Sequence, residues 1–424
     1  MTIKETFVRL SFWRTACGPI VVLTLALAPV AWAQYTTTTL YNFGRFSTDG
    51  QEPGTPMIFD GSGNLYGTTS TGGPGGGGVV YELSPSSGGS WTETIIQTFA
   101  DHGGPLSPSS SLIFDGSGNL YGVSYYGGSF DQGTVYKLSP SSSGWTATVL
   151  HSFTGGSDGA LARGNVVFDS KGNLFGITDQ GGGSTGCPSG CGTVFELSPS
   201  GGGWTSRVLY AFTGGIDGWA PAALTVDSSG NLFGVAVVGG DRGCPSGCGT
   251  IFRLQPASGS STSYTFGLIY SFTPLGPAGY NPFSLVLDAA GNIYGTTIAG
   301  GGRCNPGCGD VFKLTKPASA GLWKASILHA FTGTYDCGSP VALSLDSSGN
   351  VFGSTGSGSF TSYGEVFKIT PVSGGWNFAV LHNFVTDGGH PSSGVLIDAH
   401  GNLFGNTLDA GQFGSGTIFE MSPR

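Results

Sequence analysis

The chain has 424 residues and a formal charge of −9, with 10% charged residues, 12% aromatics and 78 glycines. Disorder goes with high charge and few aromatics, so this composition excludes a disordered chain and points to many short strands joined by glycine turns. The acidic balance argues against nucleic acid and anionic membrane surfaces as partners.

Residues 1–33 read as an export signal. Lys4, Arg9 and Arg14 give a basic start, an apolar run follows, and Ala31-Trp32-Ala33 forms a small-x-small cleavage pattern. The apolar stretch is shorter than the roughly 20 residues a membrane-spanning helix needs, and no stop-transfer segment follows it. Cys17 precedes the apolar run, which argues against a lipid anchor. The expectation is a secreted chain, extracellular or periplasmic, with no membrane contact after cleavage: residues 34–424 as a single domain with a formal charge of −11.

The first element after the signal is an alternating segment ending in phenylalanine, "YTTTTLYNF" at 35–43. From there Asp-x-x-Gly-Asn-aliphatic-aromatic-Gly recurs at Asp60, Asp115, Asp169, Asp227, Asp288, Asp346 and Asp398, 52 to 61 residues apart. Each copy follows a short apolar run and precedes a second pattern such as "GTVFEL" (192–197), then an aromatic-to-Phe alternation such as "WTSRVLYAF" (204–212). Every unit therefore predicts four strands. Asp and Gly at the first and fourth positions suit a type I turn capped by the Asp side chain. The glycine inside the second strand marks a close backbone approach.

Seven four-stranded units predict an all-β, seven-bladed β-propeller. The aromatic-to-Phe strand precedes the first unit and is missing after "GTIFEMSPR". Residues 35–43 should therefore complete the last blade as its outer strand and close the ring.

The "GNLYG…GG…GTVFEL" pattern resembles the GloVer tandem-repeat family of secreted bacterial proteins, the "choice-of-anchor" group, and the strand order is similar to NHL-type propellers. The resemblance covers nearly all of the chain beyond the signal and implies an exported repeat protein. It carries no catalytic residue over. Members often end in an anchoring segment; this chain stops at Arg424, directly after the last strand, which favours release.

Cysteines cluster in units three to five: Cys187 and Cys191, Cys244 and Cys248, Cys304 and Cys308. Close pairs across a proline-glycine turn in an exported protein are expected to be disulfides that stiffen loops. Four converging thiolates are the metal alternative, against which the x₃ spacing and an oxidising compartment both argue. Cys337 is left over. Neither a metal nor a cofactor is expected, because the repeated Asp lacks the ligand spacing of a calcium loop.

Function should sit where the repeat breaks. Trp219, Tyr125, Tyr126, Tyr280 and Tyr335 are off-pattern aromatics in the two loop sets expected to share one face, alongside Asp101, His102, Asp217, Asp336 and His390. Aromatic platforms beside hydrogen-bonding groups suit a polysaccharide or an envelope protein as ligand; the alternatives are an envelope or matrix component and, less favoured, a polysaccharide lyase or hydrolase. No nucleophile elbow or HExxH helix is present, so no catalytic residue is assigned.

Overall fold

A computed structural model of the chain describes residues 35–100, 104–244, 246–257, 263–301, 308–319, 321–333, 336, 338–356, 363–385 and 387–424. The expected export signal lies outside them. Seven four-stranded antiparallel sheets, with no helix among the described residues, form a seven-bladed propeller. Strands run A to D from the axis outward. Blade 3 shows the plan: A is Ala160–Phe168, B is Leu174–Gln180, C is Thr193–Ser200 and D is Gly203–Ala211.

The ring closes as the split unit requires. Tyr35–Asn42 pairs antiparallel with Thr417–Pro423, from Tyr35 opposite Pro423 to Asn42 opposite Thr417, and so supplies strand D of blade 7.

Buried apolar residues fall into seven clusters, one at each seam between blades. At the seam of blades 3 and 4, Phe175 and Phe212 pack with Leu224 and Phe252; at the closing seam, Phe43, Phe404 and Ile418 of blade 7 pack with Met57 and Tyr81 of blade 1. A single four-stranded sheet has no second layer of its own, so each blade completes its core against its neighbours.

Within each blade, the strand B glycine lies under the aromatic ring of strand C. A Cβ on Gly176 would come within 2.5 Å of Phe195, and one on Gly234 within 2.3 Å of Phe252. Every Asp of the repeat caps its A–B turn. Asp227 accepts N–H groups from Ser229 and Asn231 at 2.9 Å and the Asn231 amide at 2.8 Å, and the other six Asp residues do likewise.

The closing seam carries an additional polar cluster. The Tyr41 hydroxyl lies 2.8 Å from Glu93 and 3.2 Å from Asp49, which is 2% exposed. Burial, reinforced by the Asp49 carboxylate, pushes Glu93 up to about 7. Burial also raises Asp49, against the pull of the Arg45 and Gly44 N–H groups.

Candidate functional site

The A–B and C–D hairpins occupy one face of the ring; the B–C and D–A loops occupy the other. On the loop face each chain enters strand A through a residue in the left-handed region. These are Glu52, Ser107, Leu161, Ala220, Asn281, Ser339 and His390, with φ between 49° and 58°. Such a conformation costs roughly 1–3 kcal/mol for a residue with a Cβ, so each must be held by its surroundings. Each donates its N–H to a B–C loop carbonyl of the preceding blade: Ala220 to Cys191 at 3.2 Å, Asn281 to Cys248 at 2.8 Å, and Glu52 to Ser415 across the closing seam at 3.1 Å.

In six of the seven blades the next residue is proline. Proline keeps its predecessor out of the right-handed helical region, and its ring packs on the glycine before strand C of the preceding blade, as Pro282 does on Gly249 and Pro53 on Gly416. Blade 3 is the exception, with Ala162.

One residue further along, the chain faces the axis. Gly54, Ser109, Arg163, Ala222, Phe283, Val341 and Ser392 hold this position and line a central cavity of about 520 Å³. One sector of the wall is apolar, with Ala222, Phe283, Leu285, Val341 and Leu343; the other presents Thr55, Ser109, Tyr125, Asn165 and Ser392. Arg163 is the single charged residue of the described lining. Its Nη1 lies 3.5 Å from Asp179 Oδ1, and the Tyr125 hydroxyl lies 3.5 Å from Asp179 Oδ2. Burial and the nearby Asp179 charge raise the Tyr125 hydroxyl above the usual tyrosine value. Asn165 is committed elsewhere: its side chain accepts the Leu224 N–H at 3.1 Å and donates to the Leu224 carbonyl, joining blades 3 and 4.

Around the cavity the loop face exposes aromatic rings. Phe46, Tyr126, Phe130, Tyr363 and Phe413 are 42–57% exposed, and all five lie on this face. On the hairpin face the large apolar residues that stand out, Leu322 and Val372, are aliphatic.

The residues singled out in the sequence distribute unevenly. Tyr125 reaches the cavity, and Tyr126 packs edge-on to it with centroids 4.9 Å apart. Trp219 and Tyr280 occupy one repeat position, the residue before the left-handed one, and lie against Gly239 and Gly300 and the seam cores shared with the preceding blades. Asp217, 4% exposed, accepts the Tyr210 hydroxyl at 3.0 Å and the Thr213 N–H at 2.7 Å, so it caps its D–A turn. Asp336 does the same for His329, at 2.7 Å, and for the Thr332 N–H, at 2.8 Å; burial opposes its ionisation, yet these bonds hold it at about 2. His390 belongs to the left-handed ring and pairs through Nδ1 with Asp409 at 3.0 Å. Asp101, His102, Tyr335 and Cys337 lie outside the described residues.

Cys187 is bonded to Cys191 and Cys244 to Cys248, with Cα atoms 5.3 and 5.1 Å apart. Cys308 is also disulfide-bonded, while Cys304, its expected partner, lies outside the described residues. The second cysteine of each pair supplies the carbonyl on which the next blade's left-handed residue docks, the third instance being Ser339 on Cys308 at 2.8 Å. Stiffening the loop therefore also stiffens the seam.

Three overlapping matches to one family model, described as the Gloeobacter/Verrucomicrobia repeat, span residues 26–246, 183–320 and 241–424. The chain belongs to the Gloeobacter/Verrucomicrobia repeat family. Each blade here supplies one Asp-capped turn, one glycine under an aromatic and one left-handed docking residue; Arg163, Asp179 and the exposed aromatics are departures from that pattern. No curated protein matches the sequence. Among solved structures the chain is similar to a candidate 6-phosphogluconolactonase from Bacteroides uniformis, at 15% identity and TM-score 0.53, over 81% of this chain and 88% of that one. It is also similar to a fungal alcohol oxidase of the AA5 family in complex with copper, at 14% identity and TM-score 0.52, over 92% of this chain and 76% of that one. At these identities the likeness carries the propeller fold alone.

Proposed function

We propose that this protein is a secreted, non-enzymatic binding propeller that takes a polysaccharide or cell-wall glycan on its loop face, one end of the chain entering the axial cavity. The observation that carries the reading is the placing of the five exposed aromatics, all on the face where the cavity opens. Aromatic faces suit the apolar faces of sugar rings, and a cavity with a few convergent polar groups suits their hydroxyls. Export fits the disulfides.

The non-enzymatic part rests on the fate of the acid–base pairs. His151 with Asp158, His329 with Asp336 and His382 with Asp387 are engaged in D–A loops, 2.7–3.3 Å apart, rather than at the axis. Among the described residues one carboxylate, Asp179, stands beside the cavity, whereas glycoside hydrolysis ordinarily uses two.

The test is a glycan-array screen of the purified protein beside Tyr126→Ala/Phe130→Ala, with Leu322→Ala as a control on the hairpin face. The reading expects polysaccharide retention by the wild type and the control, and its loss in the double variant. Retention by none of them, or equal retention by all three, contradicts it.

A further inference from the structure

Blade 3 departs from the ring at two neighbouring places. Six blades put a small or apolar residue where Arg163 stands. Asp179 lies on strand B, opposite the left-handed Leu161, where Val237, Ile298 and Leu408 stand in blades 4, 5 and 7.

The two side chains are incompletely satisfied. Asp179 is 15% exposed in its side chain, and its Oδ1 is buried with no hydrogen bond among the described residues; the Arg163 contact at 3.5 Å is an ion pair too long to serve as one. Its Oδ2 has the Tyr125 hydroxyl at 3.5 Å, also beyond good hydrogen-bond length. The Arg163 guanidinium, 30% exposed, has five N–H donors and makes no hydrogen bond to any described residue. A ligand hydroxyl would supply the hydrogen bonds that both groups lack.

We infer that Arg163, Asp179 and Tyr125 form a subsite for the adjacent hydroxyls of an uncharged sugar ring. The inference rests on the glycan-binding reading above and names the ligand class for the same cavity. A hydroxyl is the group that fits: it donates to Asp179 and accepts from Arg163 at once, and its neighbour on the ring fills the remaining donors and the Tyr125 oxygen. A uronate is rejected, because a carboxylate drawn to Arg163 is brought beside Asp179, and like charges brought together in a partly buried site are strongly unfavourable. An ammonium drawn to Asp179 meets Arg163 in the same way. The pair is neutral as a unit, so the acidic field of the whole chain reinforces the exclusion of polyanions.

The test is titration calorimetry of the full chain with two panels: hexasaccharides of glucose, mannose and galactose, and hexamers of galacturonate and guluronate. The expected result is binding of at least one neutral hexasaccharide, weakened about tenfold by Arg163→Ala and by Asp179→Ala, in line with the loss of one charge-assisted hydrogen bond each. The double variant should weaken little beyond either single one, because a hydroxyl shared by both groups is lost whichever is removed. Asp179→Asn should admit the uronates that the wild type excludes. Unchanged Tm values separate these effects from misfolding, and Arg163→Lys, which keeps the charge, provides a second variant.

Tight uronate binding lost in Arg163→Ala would overturn the inference while leaving the glycan-binding reading intact. Neutral binding indifferent to every substitution would also overturn the subsite alone. Binding of neither panel would count against both.

Discussion

Blades 3 to 5 and blades 6, 7, 1 and 2 share one scaffold but finish their loops differently. In the first group the B–C loops carry cysteine pairs, and the second cysteine holds the carbonyl on which the next blade docks. In the second group the docking carbonyl belongs to Tyr363, Ser415, Gly77 or Gln132, and the loops and adjoining strand end expose Phe46, Tyr126, Phe130, Tyr363 and Phe413. Blades 3 and 4 fix their B–C loop shape with a disulfide, whereas the second group offers aromatic surface. The difference separates what the fold needs from what a ligand would need, because the docking bond itself is made in both halves.

If the scaffold is equivalent in the two halves, damage to it should cost the same on either side. The largest effect is expected from deleting residues 35–43, which removes strand D of blade 7: cooperative thermal unfolding by calorimetry should be lost. Next, Gly234→Ala in blade 4 and Gly405→Ala in blade 7 put a Cβ within 2.3 and 2.4 Å of a buried ring. Each should cost about 3 kcal/mol, the upper end of ordinary overpacking, in denaturant unfolding. A large difference between the two would break the equivalence.

The loop finishes should behave oppositely. Cys187→Ser/Cys191→Ser should cost about 2 kcal/mol on the chain-entropy account and raise hydrogen exchange at the Ala220 amide, which docks on the Cys191 carbonyl. Phe130→Ala and Phe413→Ala should stay within about 0.5 kcal/mol, as exposed substitutions do, while affecting glycan retention.

The smallest effect is a pH slope at the closing seam. Glu93 titrates at about 7 in the folded chain against an ordinary 4.5, so between these values the folded state keeps a proton that the unfolded state has lost, and stability falls as pH rises. Asp310, pushed by burial to about 6, has the same sign. Asp336, held at about 2, acts on the acid side: its contribution is lost as pH falls from the ordinary 3.8 towards 2. Tm should therefore be higher at pH 5 than at pH 8 by about 2 °C, and Glu93→Gln should reduce that difference, leaving the part that Asp310 contributes.

The scaffold was legible in the sequence because local chemistry fixes each part and then repeats it. Asp60 and its six counterparts cap turns through bonds to residues two and four places away, and Gly67 and its counterparts face a ring directly across the sheet. The axial site was less legible because no local bond defines it. Arg163 faces the cavity only through its offset from the left-handed residue, at the end of D–A loops of differing length and composition. A signal was nevertheless present: aligning Glu52-Pro53, Ser107-Pro108, Ala220-Pro221, Asn281-Pro282, Ser339-Pro340 and His390-Pro391 leaves Leu161-Ala162-Arg163 as the odd unit. Trp219 and Tyr280 drew attention as aromatics outside the strand motif, but they share a repeat position of their own, over Gly239 and Gly300. Phe130 and Phe413, in "GGSFDQG" and "GQFGSG", also depart from the repeat and stand exposed.

The most direct test compares two arginines of blade 3. Arg163 faces the axis; Arg207, on strand D, donates through Nε to Glu196 at 2.7 Å as part of the blade. Glycan binding and Tm would be measured for Arg163→Ala and Arg207→Ala side by side. The account predicts that Arg163→Ala binds about tenfold more weakly and keeps its Tm, while Arg207→Ala lowers Tm and keeps binding. Wild-type binding in Arg163→Ala, or loss of binding in a folded Arg207→Ala, would contradict it.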